Sequence, residues 1–142
     1  MNTKKAEKLF REGYACSQSI LLAFSDDLGI DENVAKKVSS TFGGGMGRLR
    51  KTCGALTGAF MVLGLKYGNT EPGDLNKKLD SYKKVQQLTQ KFKDKYGTTS
   101  CATILKKHAS NNEIINREHH RKICDVVVHD AAVFLSEIIN SQ

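Results

Sequence analysis

Residues 72–97 read PGDLNKKLDSYKKVQQLTQKFKDKYG, and their periodicity decides the fold class. Apolar side chains recur at Leu75, Leu79, Tyr82, Val85, Leu88, Phe92 and Tyr96, three or four residues apart over six turns. That spacing marks one face of an α-helix, whereas a half-buried strand would alternate every second residue. Lysine, glutamine and aspartate fill most of the positions between, as a solvated face requires. Pro72 is expected in the first turn and Gly97 just past the end, where each residue is best tolerated.

The helical period extends outward from this stretch in both directions. On the N-terminal side a helix is predicted from Thr52 or Cys53 to Tyr67, with Gly68 at the C′ position. Before it, Asp31 caps a helix whose Val34, Val38 and Phe42 are expected on one face. Tyr14 to Leu28 carries Ile20, Leu21, Leu22, Phe24 and Leu28 and stops at Gly29, and Thr3 to Arg11 forms a short lead-in. On the C-terminal side a short helix spans Ser100 to His108, and residues 110–112, SNN, break it. Arg117 to Ile139 closes the chain with Ile123, Val127, Ala131, Phe134, Leu135 and Ile138 aligned. Strand alternation is nearly absent. The expectation is an all-α, single-domain helical bundle of about five to seven helices spanning residues 1–142.

Composition agrees with one globular domain. The chain has 142 residues, 39% of them hydrophobic, with one proline and no tryptophan. Such a length can bury one core without covalent staples. The net charge of +7 comes from lysines spread along polar helix faces without interleaved aromatics, so no nucleic-acid partner is expected. The longest near-apolar run, Ala55 to Leu65, is too short to span a bilayer, so no membrane span is expected. The first residues, MNTKKAEKLFREGYAC, have no apolar stretch of the kind a secretory leader carries. The expected location is therefore cytoplasmic, where thiols are kept reduced.

The four cysteines are Cys16, Cys53, Cys101 and Cys124, separated by 37, 48 and 23 positions. No close pair exists, which argues against a zinc ribbon, a ferredoxin-type cluster or a thioredoxin motif. Each cysteine nevertheless begins or joins an apolar helical stripe. Cys16, Cys53 and Cys101 fall at or near predicted helix N-termini, where the helix dipole stabilises a thiolate. Cys53 also follows Arg48, Arg50 and Lys51, which would lower its pKa further, so it is expected to be the most reactive thiol. Buried thiols also serve as ordinary core residues, and a non-catalytic helical interaction module is the bland alternative.

These residues carry a resemblance. Cys53-Gly54-Ala55-Leu56-Thr57-Gly58 matches the C-G-A-x-x-G form of a motif found in a family of small redox-active proteins with four cysteines, the C_GCAxxG_C_C family. Cys16, Cys101 and Cys124 stand where the family has its first, third and fourth cysteines, and the preceding FGGGMG also fits. The resemblance covers nearly the whole chain. It implies thiol or electron-transfer chemistry and an oxidoreductase or electron-transfer protein as partner. The family is also similar to the non-haem part of split-Soret-type cytochromes, in which an iron–sulfur centre accompanies the haems. This chain lacks the haem-attaching C-x-x-C-H, so only the cluster could carry over.

Three chemistries compete for these residues. In the first, Cys53 attacks and one of Cys16, Cys101 or Cys124 resolves, giving thiol/disulfide electron transfer. In the second, Cys16, Cys53, Cys101 and Cys124 ligate an iron–sulfur cluster or zinc, built from facing helices. In the third, the loop of Gly43, Gly44, Gly45, Gly47, Arg48 and Arg50 binds an anion. GGGMGRLRKT ends in Lys-Thr as a P-loop does, but Arg50 stands where that motif needs glycine, and no strand precedes it. A weaker role, holding a small anionic substrate near Cys53, stays open.

The remaining signals are blander. Gly54 and Gly58, like Gly64 and Gly68, stand four apart on one helix, which suits close helix packing; a homodimer contact is the other use of such a face. His120 and Cys124 would share a helix face as metal ligands can, but REHHRK reads as a charged first turn. His108 and His129 read as ordinary. Asp26 and Asp27 end a helix, Asp125 and Asp130 read as solvent-facing, and no hydrolase motif is present.

Overall fold

The computed structural model describes residues 2–107 and 117–141, with the side chains of residues 117–119 outside that description. Among the described residues there are seven helices and no strand: α1 (Asn2–Arg11), α2 (Cys16–Ser25), α3 (Glu32–Ser40), α4 (Gly54–Tyr67), α5 (Leu75–Tyr96), α6 (Cys101–Lys107) and α7 (Arg117–Asn140). The protein is an all-α bundle, as the periodicity implies. His108 and the SNN break lie outside the described residues. Between α3 and α4 the segment Gly43–Met46 closes one tight coil, but Gly44 and Gly45 take φ of 67° and 71°, so it is a turn and not an eighth helix.

α2 and α4 are apolar around most of their circumference, and both lie at the centre of the bundle. α2 packs on α1, α3, α4 and α7, while α5 packs on α4 and α7. Ile20, Leu21, Leu56, Val62, Leu63, Leu88, Phe92, Val128 and Leu135 are fully buried where these helices meet. Each such side chain stabilises the fold by about 1.5–3 kcal/mol. The serines inside this core are satisfied locally. Ser19 Oγ donates to the Ala15 carbonyl, and Ser17 Oγ donates across to the Ser39 carbonyl at 2.7 Å, tying α2 to the end of α3.

Helix ends follow the chemistry of their caps. Asp31 accepts from the Val34 amide and Asp74 from the Lys77 amide. Gly97 closes α5 in the left-handed conformation and donates to the Lys93 carbonyl at 2.7 Å. α5 thus starts at Leu75, one residue after its cap, and Pro72 belongs to the preceding turn instead of the first helical turn. Gly68 has extended backbone and donates to Gly64, so it caps α4 without a left-handed turn.

Two expected faces are not covered. α3 buries Ala35 and Ser39, leaving Val34 and Val38 about half exposed, because small residues let it lie close against α2. On α5, Leu88, Phe92 and Tyr96 are buried, but Leu75, Leu79 and Tyr82 are each more than half exposed. With 22 residues, α5 is about 33 Å long, against about 21 Å for the 14-residue α4 on which it packs. Its first turns therefore run past the end of the core.

Candidate functional site

Residues 51–53 and 99–101 run antiparallel for one step, with Thr52 bridged to Ser100. The Cys53 amide donates to the Thr99 carbonyl at 2.8 Å, and the Cys101 amide donates to the Lys51 carbonyl at 2.6 Å. Each cysteine then starts a helix: Cys53 is the N-cap of α4 and Cys101 the first residue of α6. The pairing holds the beginnings of these two helices together, although 48 positions separate the two cysteines.

α2 begins in the same region with Cys16. Gly54 lies directly against the Cys16 sulfur, and any Cβ there would overlap it and come within 2.9 Å of the Phe42 carbonyl oxygen. One turn on, a Cβ at Gly58 would sit 2.7 Å from the Ser17 carbonyl oxygen. The two motif glycines thus bring α4 against the first turn of α2, the close packing expected of them. Gly64 has open space around it and plays no such part. Under Cys101 lies Gly45, at φ 71°, where a Cβ would stand 2.7 Å from the Cys101 Cβ. Only glycine combines that backbone with that proximity.

The coil that carries these glycines is left-handed over five successive residues. Gly44, Gly45, Met46, Gly47 and Arg48 all have φ between 61° and 71°, and Arg50 has φ 59°. It turns the Arg50 side chain toward Cys101, whose sulfur accepts from Arg50 Nη1 at 3.7 Å.

All four cysteines are free thiols. Cys16, Cys53 and Cys101 are buried, at 8%, 7% and 7% exposure, and Cys124 on α7 is half-buried. Burial pushes the Cys53 thiol well above its ordinary value, and the neighbouring Cys16 adds to the rise. This direction is opposite to the lowering expected from its helix terminus and the basic residues before it. Desolvation outweighs the helix terminus, and the basic residue that reaches a sulfur, Arg50, reaches Cys101 instead. Cys16 is also raised by burial, while the amides of Gly44 and Ser17 act against the rise. Burial raises Cys124 to about 12, with Cys16 and Cys101 adding to the effect and Arg121 and Arg50 opposing it. Cys16 thus acts on both Cys53 and Cys124, and Cys101 on both Cys16 and Cys124.

A cleft of about 290 Å³ reaches two of these thiols, and Cys16, Cys124, Arg48, Arg50, His120 and Arg121 are among the residues lining it. Sequence reading missed Arg121. It donates to the Phe10 carbonyl and, at 3.4 Å, to the Tyr14 carbonyl, and it stacks 4.0 Å above the Phe10 ring. Its signal was available: it precedes Cys124 by three positions and so shares its helix face. His120 lines the same cleft one turn before Cys124. Among the described residues, no three histidine, cysteine, aspartate or glutamate side chains are placed to share a metal ion.

Behind the thiols stands a second polar group that the sequence hid. Asp130, expected to face solvent, is 7% exposed. It accepts from the Tyr96 hydroxyl and pairs with Lys95 at 2.6 Å. His129 bonds to Glu7, and Arg11 pairs with Asp125 at 3.2 Å, so both link α7 to α1.

The chain belongs to the C_GCAxxG_C_C family, whose model, described as "Putative redox-active protein (C_GCAxxG_C_C)", matches residues 14–138. That span contains all four cysteines and the glycine coil. Comparison with characterised proteins and with solved structures gave no significant match. Among the described residues no helix is long and apolar enough to cross a membrane.

Proposed function

We propose that the protein carries electrons by thiol–disulfide exchange at its four cysteines. The observation that carries this reading is that two free thiols from different helices, Cys16 and Cys124, open on one arginine-lined cleft, with Cys53 one residue before the Gly54 that touches the Cys16 sulfur. Cys124 is the least enclosed, so it meets an incoming disulfide first. Its thiolate attacks one sulfur, forming a mixed disulfide and releasing the first leaving thiolate. Cys16 then attacks the Cys124 sulfur, releases the second thiolate and closes a Cys16–Cys124 bond. Two electrons pass to the substrate, and the protons of the two cysteines end on its two thiols. Cys53, beside Cys16, and Cys101, held by Arg50, are placed to take over that bond in a further internal exchange. An oxidoreductase partner supplying two electrons and two protons restores the thiols.

Four cysteines are also the ligand count of an iron–sulfur cluster, so the test separates the two chemistries. Reduced protein is treated with excess disulfide, alkylated and mapped by mass spectrometry. Loss of two or four thiols, with Cys16 and Cys124 linked, is the expected result. Four alkylatable thiols after oxidation, or stoichiometric iron and sulfide in anaerobically purified protein, would overturn the proposal.

A further inference from the structure

The glycine coil presents Arg48 and Arg50 to the cleft, and Arg50 also donates to the Cys101 sulfur. Arg48 and Arg50 both have positive φ, a conformation that residues with a Cβ rarely adopt. Among the described residues neither is paired with a carboxylate. Both line the cleft that holds Cys16 and Cys124, and Arg121 is fixed on its wall by two backbone carbonyls and the Phe10 ring. Three guanidinium groups beside two thiols in one cleft favour an anion, and above all a carboxylate, which a guanidinium binds through two parallel hydrogen bonds. At about 290 Å³ the cleft is just below the range of ligand pockets, about 300 to 1,000 Å³. A metabolite-sized molecule fits it better than a folded protein surface.

Building on the exchange reading above, we propose that the cleft receives a small disulfide bearing carboxylate groups, which Arg48 and Arg50 hold with its sulfur–sulfur bond toward Cys124 and Cys16. The substrate is reduced to two small thiols, each taking one proton and one of the two electrons released. Cys16 and Cys124 are left joined, and the oxidoreductase partner reduces them again. The loop that resembles a phosphate cradle thus serves as an anion grip for the thiol site.

The test uses the full chain and three symmetrical disulfides: dithiodiglycolate with two carboxylates, the neutral bis(2-hydroxyethyl) disulfide, and doubly cationic cystamine. Each oxidation rate is divided by that of dithiothreitol with the same reagent, which removes differences between leaving groups. The expected order is anion, neutral, cation, with at least about a tenfold advantage of the anion over the neutral reagent. In Arg48→Gln/Arg50→Gln that advantage falls below about threefold, with helicity checked by circular dichroism. In the unaltered protein it shrinks in 0.5 M salt, a result independent of how the variant folds. A normalised anion-to-neutral ratio near one, or a ratio unchanged by both the double substitution and salt, overturns the proposal. If none of the reagents oxidises the protein while dithiothreitol reacts, the exchange reading itself fails.

Discussion

Gly54 leaves no room for a side chain between its Cα and the Cys16 sulfur. This contact couples the family motif on α4 to the first cysteine on α2, and it gives the glycines opposite sensitivities. Gly54→Ala gains about 1 kcal/mol of helix propensity. It also forces a methyl group onto Cys16 and the Phe42 carbonyl, and overpacking of this kind costs about 1–3 kcal/mol. Net destabilisation is expected, with altered alkylation of Cys16. Gly64→Ala, on the same helix with nothing within 4 Å, should stabilise by about 0.5–1 kcal/mol. Urea denaturation of both variants checks the pair, and equal signs would contradict the packing described.

Met46 is the non-glycine residue inside the run of left-handed residues that lies between two glycines, with φ 66°. That backbone costs an L-residue about 1–2 kcal/mol. Met46→Gly removes the strain but adds disorder to the unfolded chain, so a net gain of up to about 1 kcal/mol is expected. Arg48→Gly should relieve the same strain and lose anion preference at once. Thermal midpoints and the disulfide rate ratio, measured together, separate the two effects.

Much of this is legible in the sequence. The spacing of Leu88, Phe92 and Tyr96 predicts their shared buried face, Gly97 marks the end of α5, and the order of Cys16, Cys53-Gly54-Ala55, Cys101 and Cys124 identifies the thiol group. Periodicity reports which residues share a face, not whether another helix covers it. Leu75, Leu79 and Tyr82 continue the α5 stripe into solvent for that reason. The partners of individual charges were hidden for a related cause. Arg50 reaches Cys101 and not Cys53 because the coil is left-handed at Met46, Arg48 and Arg50, a conformation no local propensity announces. Asp130 is buried because Tyr96, 34 positions earlier, lies against it, and spacing along one helix carries no information about such a meeting.

The raised thiols make an alkaline prediction. Cys124 is held at about 12 against an ordinary value near 9, and Cys16 and Cys53 are raised in the same direction. Below the unfolded-state pKa both states keep these protons, and stability is unaffected by them. Above it the unfolded chain ionises first, so stability falls from about pH 9 toward 12, by up to about 1.4 kcal/mol per pH unit for each group. Denaturant midpoints measured in a phosphine reductant should show this decline, and Cys124→Ser should make it shallower. A midpoint flat from pH 8 to 11 would show that the thiols are not held neutral by burial.

The same protonation state governs how fast the thiols react. A thiolate is the reacting species, so alkylation of Cys124 at pH 7 should be slow. Its rate should then rise about tenfold per pH unit, without a plateau below pH 10. Cys124 should label ahead of Cys16 and Cys53, which are more deeply enclosed. Removing Arg121 takes away a cation that opposes the rise, so Arg121→Gln should slow Cys124 further at every pH below its pKa. Iodoacetamide labelling followed peptide by peptide provides the measurement. A Cys53 that labels first at neutral pH would make it the activated thiol and move the point of attack from the cleft to the start of α4.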